Sequence, residues 1–229
     1  MSEYSKDLAV SLLTAKTERD HQKLIGPSQI PDPCARHVAS ALLGGEPAPQ
    51  KYWLGAVIGT AIHGLLEQRM EGREEFIVEK KVFINTLEGY GDIHGKADLV
   101  IPGEKLLIDW KTTSRKKIRE LQNFVHQVGR ATDAHSEYTV RKYYGQVQLY
   151  MYGLNKAGIE IDRAELCFVS RDGTSENDIW SFPIEYSEEF AVKVWDRLES
   201  IWTRLQNGET PSQFDSDPEC FSCKMEELA

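Results

Sequence analysis

The chain has 229 residues, 41% of them hydrophobic and 28% charged, with a net charge of −9 at neutral pH. That length suits one domain with a full core, or one domain with a small appendage. No apolar run nears the ~20 residues of a membrane span, which argues against a membrane partner, and the acid excess argues against indiscriminate coating of duplex nucleic acid. The start, Met-Ser-Glu-Tyr-Ser-Lys-Asp, lacks the basic and apolar regions of a secretory signal, so a cytoplasmic location is the expectation. In that setting the four cysteines are read as free or metal-bound rather than disulfide-paired.

Residues 3–20 read as a polar amphipathic helix with Leu8, Leu12 and Leu13 inward. Pro27 to Pro33 is irregular, a short helix begins at Cys34, and Gly44 to Pro49 is a loop. Residues 52–70 carry Leu54, Val57, Ile58, Ile62, Leu65 and Leu66 at helical spacing. Three successive strands follow at 75–85, 91–101 and 105–111, with turn signals at Gly89 to Gly91 and at Pro102-Gly103. A basic helix spans 115–128, a polar loop runs from Gly129 to Ser136, and a helix covers 139–156. Strands at 163–170 and 178–185 lead to a helix at 187–206 carrying Phe190, Val194, Leu198, Ile201 and Leu205. From Gly208 the tail is irregular. This order predicts a mixed α/β (α+β) fold, with a central mixed sheet flanked by helices. It divides into an N-terminal helical segment 1–51, a core 52–206 and a tail 207–229.

The chemistry concentrates in Gly95-Lys96-Ala97-Asp98 and in Leu106-Leu107-Ile108-Asp109-Trp110-Lys111. Along a strand, residues i and i+2 share a face, so Asp109 and Lys111 project together while Ile108 and Trp110 point away. If the two runs pair, Asp98 reaches the same spot. Two carboxylates beside an ammonium form a divalent-metal site with a cation next to it, the requirement of phosphodiester hydrolysis. By itself an Asp-x-Lys is more often a strand-end salt bridge, so its neighbours carry weight.

Upstream, in Gly59-Thr60-Ala61-Ile62-His63-Gly64-Leu65-Leu66-Glu67, His63 and Glu67 share a helix face, and the small residues would let a sheet edge approach. Downstream, in Tyr144 to Tyr152, Gln146 pairs with Tyr150 and Gln148 with Tyr152 at the same spacing. The first frame is favoured because Met151 and Leu154 then continue the apolar face. Arg115, Lys116, Lys117 and Arg119 could track a DNA backbone; a solvated helix face explains them equally.

In this order G-x-x-x-H-x-x-x-E, G-x-x-D, D-x-K and Q-x-x-x-Y resemble the PD-(D/E)XK nuclease superfamily, most nearly its RecB-like branch. The resemblance implies a restriction-endonuclease-like core and an Mg²⁺- or Mn²⁺-dependent deoxyribonuclease. By resemblance, His63, Asp98, Asp109 and the main-chain carbonyl of Trp110 would bind the metal. Lys111 would orient water and stabilise developing charge, Glu67 would support the metal site, and Gln146 and Tyr150 would position water or phosphate. The expected activity is that of an exonuclease on single strands or DNA ends, in recombination, replication, repair, a phage setting or CRISPR spacer processing. A catalytically inactive DNA-binding or assembly module and a metal-sensing regulator are the alternatives. The intact Asp98, Asp109 and Lys111 set weighs against the first; the acidic charge and lack of a helix-turn-helix pattern weigh against the second. Oligomeric state and digestion polarity leave no mark that one sequence reveals.

Cys34-Ala35-Arg36-His37 and Cys220-Phe221-Ser222-Cys223 are two ligand pairs at x₂ spacing, and together they would form a closed Cys₃His structural site joining the termini. The arrangement resembles the iron–sulfur RecB-like exonucleases, including the CRISPR-associated Cas-four type and phage relatives, which hold a [4Fe–4S] cluster with one cysteine before the core and three after it. Here two cysteines follow the core, and Cys₃His suits Zn²⁺ at least as well. Cys167, within Leu166-Cys167-Phe168-Val169, reads as a buried core thiol.

Overall fold

The computed structural model describes residues 24–44, 53–126 and 134–226, together with isolated positions 8, 11 and 13. Most of the expected 3–20 helix, the loop from 45, and positions 127–133 therefore lie outside the described residues. Helix α1 spans Ala35–Leu42 and buries Val38, Ala39 and Leu42; Cys34 is its N-cap, its sulfur accepting from the His37 N–H. Helix α2 spans Trp53–Met70. Strands β1 (Ile77–Leu87), β2 (Gly91–Ile101) and β3 (Leu106–Thr113) follow. Gly89, with φ +74°, closes the first turn where a side chain would be strained.

Helices α3 (Arg115–His126) and α4 (Ala134–Lys156) form the connection to β4 (Arg163–Ser170). Strand β5 (Ile179–Glu185), helix α5 (Glu188–Gln206) and helix α6 (Phe221–Glu226) complete the described elements. Ser187 caps α5 by accepting the Phe190 N–H, and Glu188 and Glu189 sit in its first turn, where the helix dipole favours negative charge.

The five strands form one sheet in the order β1-β2-β3-β4-β5. The β3/β4 pair is parallel and the other three are antiparallel. A parallel pair needs a long crossover, which α3 and α4 supply. The core forms between sheet and helices from Ile84, Ile93, Leu107, Leu121, Leu149, Met151, Leu154 and Leu166, each almost fully buried. On α2, a β-carbon at Gly59 would come within 2.7 Å of Thr112 Oγ1, so the bare glycine lets α2 lie against β3.

Three expectations need correction. Helix α4 begins at Ala134, several residues before the expected start, because its polar first turns are held by tertiary contacts: Ser136 is fully buried and accepts from Lys117 Nζ at 3.1 Å. The tail is not wholly irregular. It contains a 3₁₀ turn at Pro211–Gln213 and helix α6, and it folds back on α1 through Arg36 N–H to Asp215 O at 3.1 Å. Leu8 and Leu13, expected inward, are exposed.

Candidate active site

Strands β2 and β3 pair from Ile101–Leu106 to Leu99–Ile108, which puts Asp98 opposite Asp109 just past the last ladder pair. There Asp98 Oδ2 accepts the Trp110 N–H at 2.8 Å. The carboxylate thus stands in for a strand partner and is held at the point where the strands part. Its other oxygen lies 3.7 Å from His63 Nδ1 on α2. That contact raises the imidazole above its ordinary pKa, against the effect of burial. Glu67 lies one turn further along α2 and is half-buried.

Asp109 is 1% exposed. Its Oδ2 pairs with Lys111 Nζ, two residues along the same strand, and its Oδ1 accepts from Gln146 Nε2 at 3.2 Å. Burial disfavours the Lys111 ammonium, but Asp109, Tyr143 and Asp98 together hold its pKa well above the usual lysine value. The ammonium also sits 4.9 Å from the centre of the Tyr143 ring, which adds a cation–π attraction. Gln146 is within 3.5 Å of the Tyr150 hydroxyl. Burial and the charge of Asp109 push that phenol above its usual pKa, so it stays neutral and can donate.

Gln148 and Tyr152 face elsewhere. Gln148 is fully buried; its amide donates to Glu185 O at 2.7 Å and accepts from the Ser187 N–H at 2.8 Å. That side chain joins α4 to the end of β5, and Gln146 and Tyr150 are the pair that meets Asp109.

The four basic residues of α3 divide. Arg115 is drawn into the β4–β5 loop, with Nη2 on Asp172 O at 2.9 Å and Nε on Asp178 Oδ1 at 2.9 Å. Lys117 meets Ser136 and Glu120. Lys116 and Arg119 are exposed, Lys116 lying 3.8 Å from Glu120.

The cysteine pairs come together across the whole chain. Cys34, Cys220 and Cys223 are buried and their sulfurs all lie within 4.8 Å of one another. Cys34 Sγ is 3.5 Å from Cys223 Sγ, and His37 Nδ1 is 3.8 Å from Cys220 Sγ. Cys34 Sγ also accepts the Asp217 N–H at 3.4 Å, fixing the tail beside α1. Among the described residues these three sulfurs form a compact, buried ligand set. Cys167 is buried on β4, and burial pushes its thiol up to about 11.

The chain belongs to the PD-(D/E)XK nuclease superfamily, whose family model matches residues 38–228. No curated protein matches it. Among solved structures it is similar to an alkaline exonuclease from Laribacter hongkongensis, at 12% identity and a TM-score of 0.53 over 92% of this chain and 93% of that one. The same exonuclease in complex with dAMP matches at 12% identity and a TM-score of 0.51, over 90% and 91% of the two chains. A candidate exonuclease from Eubacterium rectale matches at 13% identity and a TM-score of 0.54, over 92% and 93%. At such identities the likeness is one of fold.

Tyr143 and the buried Asp32 carry no motif in the sequence that marks them. Tyr143 lies three residues before Gln146, so helical spacing could have placed it on the same side. Asp32, between two prolines, reads locally as a turn residue.

Proposed function

We propose that this protein is a divalent-metal-dependent deoxyribonuclease that acts as an exonuclease on DNA ends or single strands. The observation that carries the reading is the meeting of His63, Asp98, Asp109, Lys111 and Gln146, from α2, β2, β3 and α4, at the place where β2 and β3 part. The likeness to exonuclease folds supports the exonuclease form.

The donor set suits Mg²⁺ or Mn²⁺: two carboxylates, an imidazole and the backbone carbonyl of Trp110 are hard or borderline ligands. When bound, such an ion supplies Lewis-acid charge and lowers the pKa of a water. Asp98 is preset by the Trp110 N–H, which aims its free oxygen toward His63. Lys111 stays protonated beside Asp109 and supplies positive charge where the phosphate becomes more negative. Gln146 offers its amide to orient a water, and the neutral Tyr150 hydroxyl can donate to a phosphate oxygen. Lys116 and Arg119 are the exposed cations of α3 available to the DNA backbone.

For the cysteine centre we favour Zn²⁺ over a [4Fe–4S] cluster. A tetrahedral ion with bonds of about 2.3 Å would space its sulfurs about 3.8 Å apart, close to the 3.5 Å between the Cys34 and Cys223 sulfurs, and His37 Nδ1 lies within reach at 3.8 Å from Cys220 Sγ. A multi-iron core would hold its thiolates farther apart.

The test is digestion of end-labelled single- and double-stranded DNA with Mn²⁺, by wild type and Lys111→Ala. Progressive shortening from one end by wild type alone is the expected result. Cleavage by neither protein on any substrate would leave a DNA-binding or assembly module that keeps the fold.

A further inference from the structure

The segment from Ile25 to Cys34 has no part in the chemistry described above, yet it runs from the candidate active site to the cysteine centre. At its start the Ile25 N–H is fixed by the Tyr90 hydroxyl at 2.8 Å. A β-carbon at Gly95, the glycine of G-x-x-D, would lie 2.6 Å from Tyr150 Cε1 and 2.7 Å from Pro27 Cγ. Pro27, β2 and Tyr150 therefore pack together with no room between them. Further along, Pro31 occupies the place of a side chain at Gly145, where a β-carbon would meet Pro31 Cβ at 2.3 Å. Gly145 is the residue next to Gln146.

The far end is anchored by Asp32, which is 1% exposed. Asp32 Oδ1 accepts the Cys34 N–H at 3.0 Å and the Tyr138 hydroxyl, and Oδ2 pairs with Lys142 Nζ at 2.9 Å. Arg197 donates to the carbonyls of Asp32 at 2.8 Å and Pro33 at 3.0 Å. Tyr138, Lys142, Gln146 and Tyr150 follow one i, i+4 ridge of α4, so Asp32 grips the same ridge one and two turns before Gln146, about 6 and 12 Å away along the axis. Tyr138 packs directly on the three cysteines.

We propose that this strap, anchored on Asp32 and on the cysteine centre, sets the position of Gln146 and Tyr150 against Asp109. Asp32 is then a positioning residue for the reaction, and the state of the cysteine centre is felt at the candidate active site through α4. The inference rests on the nuclease reading for its kinetic arm only.

The kinetic arm is a double-mutant cycle of Asp32→Asn with Gln146→Ala, measured by single-turnover DNA cleavage with Mn²⁺. A group acting through Gln146 loses its effect once Gln146 is gone. Asp32→Asn should lower the saturating single-turnover rate constant about tenfold with the half-saturating enzyme concentration little changed, as expected for a misplaced reacting group, and the loss in the double variant should be clearly smaller than the product of the two single losses. Fully additive losses would overturn the proposal. If Asp32→Asn fails to fold, Tyr138→Phe, which removes one hydrogen bond and keeps the shape, takes its place in the cycle.

The second arm needs no activity. Amide hydrogen exchange across residues 145–150 is compared in wild type, in Asp32→Asn or Tyr138→Phe, and in wild type stripped of Zn²⁺ by a chelator. Faster exchange there in the variant and in the stripped protein is expected. Unchanged exchange would overturn the proposal even in an active nuclease, and faster exchange in a protein that cleaves nothing would uphold the strap while sinking the nuclease reading.

Discussion

Two glutamines two residues apart on α4 have opposite surroundings, and replacing each with alanine separates chemistry from architecture. Gln148→Ala removes a fully buried amide that donates to Glu185 O and accepts from Ser187 N–H. Each lost hydrogen bond costs about 1 kcal/mol, and the emptied space adds about as much again, for roughly 3 kcal/mol in all. For a chain of this size that lowers the melting temperature by about 6–12 °C. Gln146→Ala loses the 3.2 Å bond to Asp109 Oδ1, but Asp109 keeps Lys111, so the stability cost is only about 1 kcal/mol. Its cost in single-turnover cleavage is larger, about 10- to 100-fold, or roughly 1.4–2.7 kcal/mol of barrier. Thermal unfolding and single-turnover cleavage of both variants decide the matter. A Gln148→Ala protein that melts like wild type but has lost cleavage, beside an active Gln146→Ala, would refute the assignment of the motif frame.

Asp109→Asn should abolish Mn²⁺-dependent cleavage while the circular dichroism spectrum stays that of the folded protein; retained cleavage would remove Asp109 from the proposed metal site. Cys220→Ser should lower the melting temperature, because it cuts one of the links between α1 and the tail; a variant as stable as wild type would show that the centre holds nothing together. Burial alone would raise the Asp32 carboxyl, but Lys142, the Tyr138 hydroxyl and His37 outweigh it and hold it below the ordinary carboxylate range. The stability Asp32 contributes is therefore present above about pH 4 and is lost as the pH falls toward its lowered folded-state value. Melting temperatures between pH 6 and pH 3 should accordingly fall more steeply for wild type than for Asp32→Asn, and parallel curves would refute this.

The sequence alone determined which residues share a face, because the two-residue repeat of a strand and the near four-residue repeat of a helix are local. Asp109 with Lys111, His63 with Glu67, and Gln146 with Tyr150 could be grouped on that basis, and so could the strands around them. The superfamily membership followed from their order, and the matching family model agrees with it.

Gln146/Tyr150 and Gln148/Tyr152 have the same spacing, and only the apolar face continued by Met151 and Leu154 favours the first in the sequence. In the structure Gln148 is held by partners 37 and 39 residues away, Glu185 and Ser187, while Gln146 meets Asp109. The polar first turns of α4 resemble loop in sequence because a buried group that holds them, Asp32, lies more than 100 residues away in the chain. Cys34 and Cys223 are 189 residues apart and meet at 3.5 Å. A pattern along the chain encodes spacing and facing; which faces meet is decided by packing, where the whole fold sets the cost of leaving a buried group without a partner.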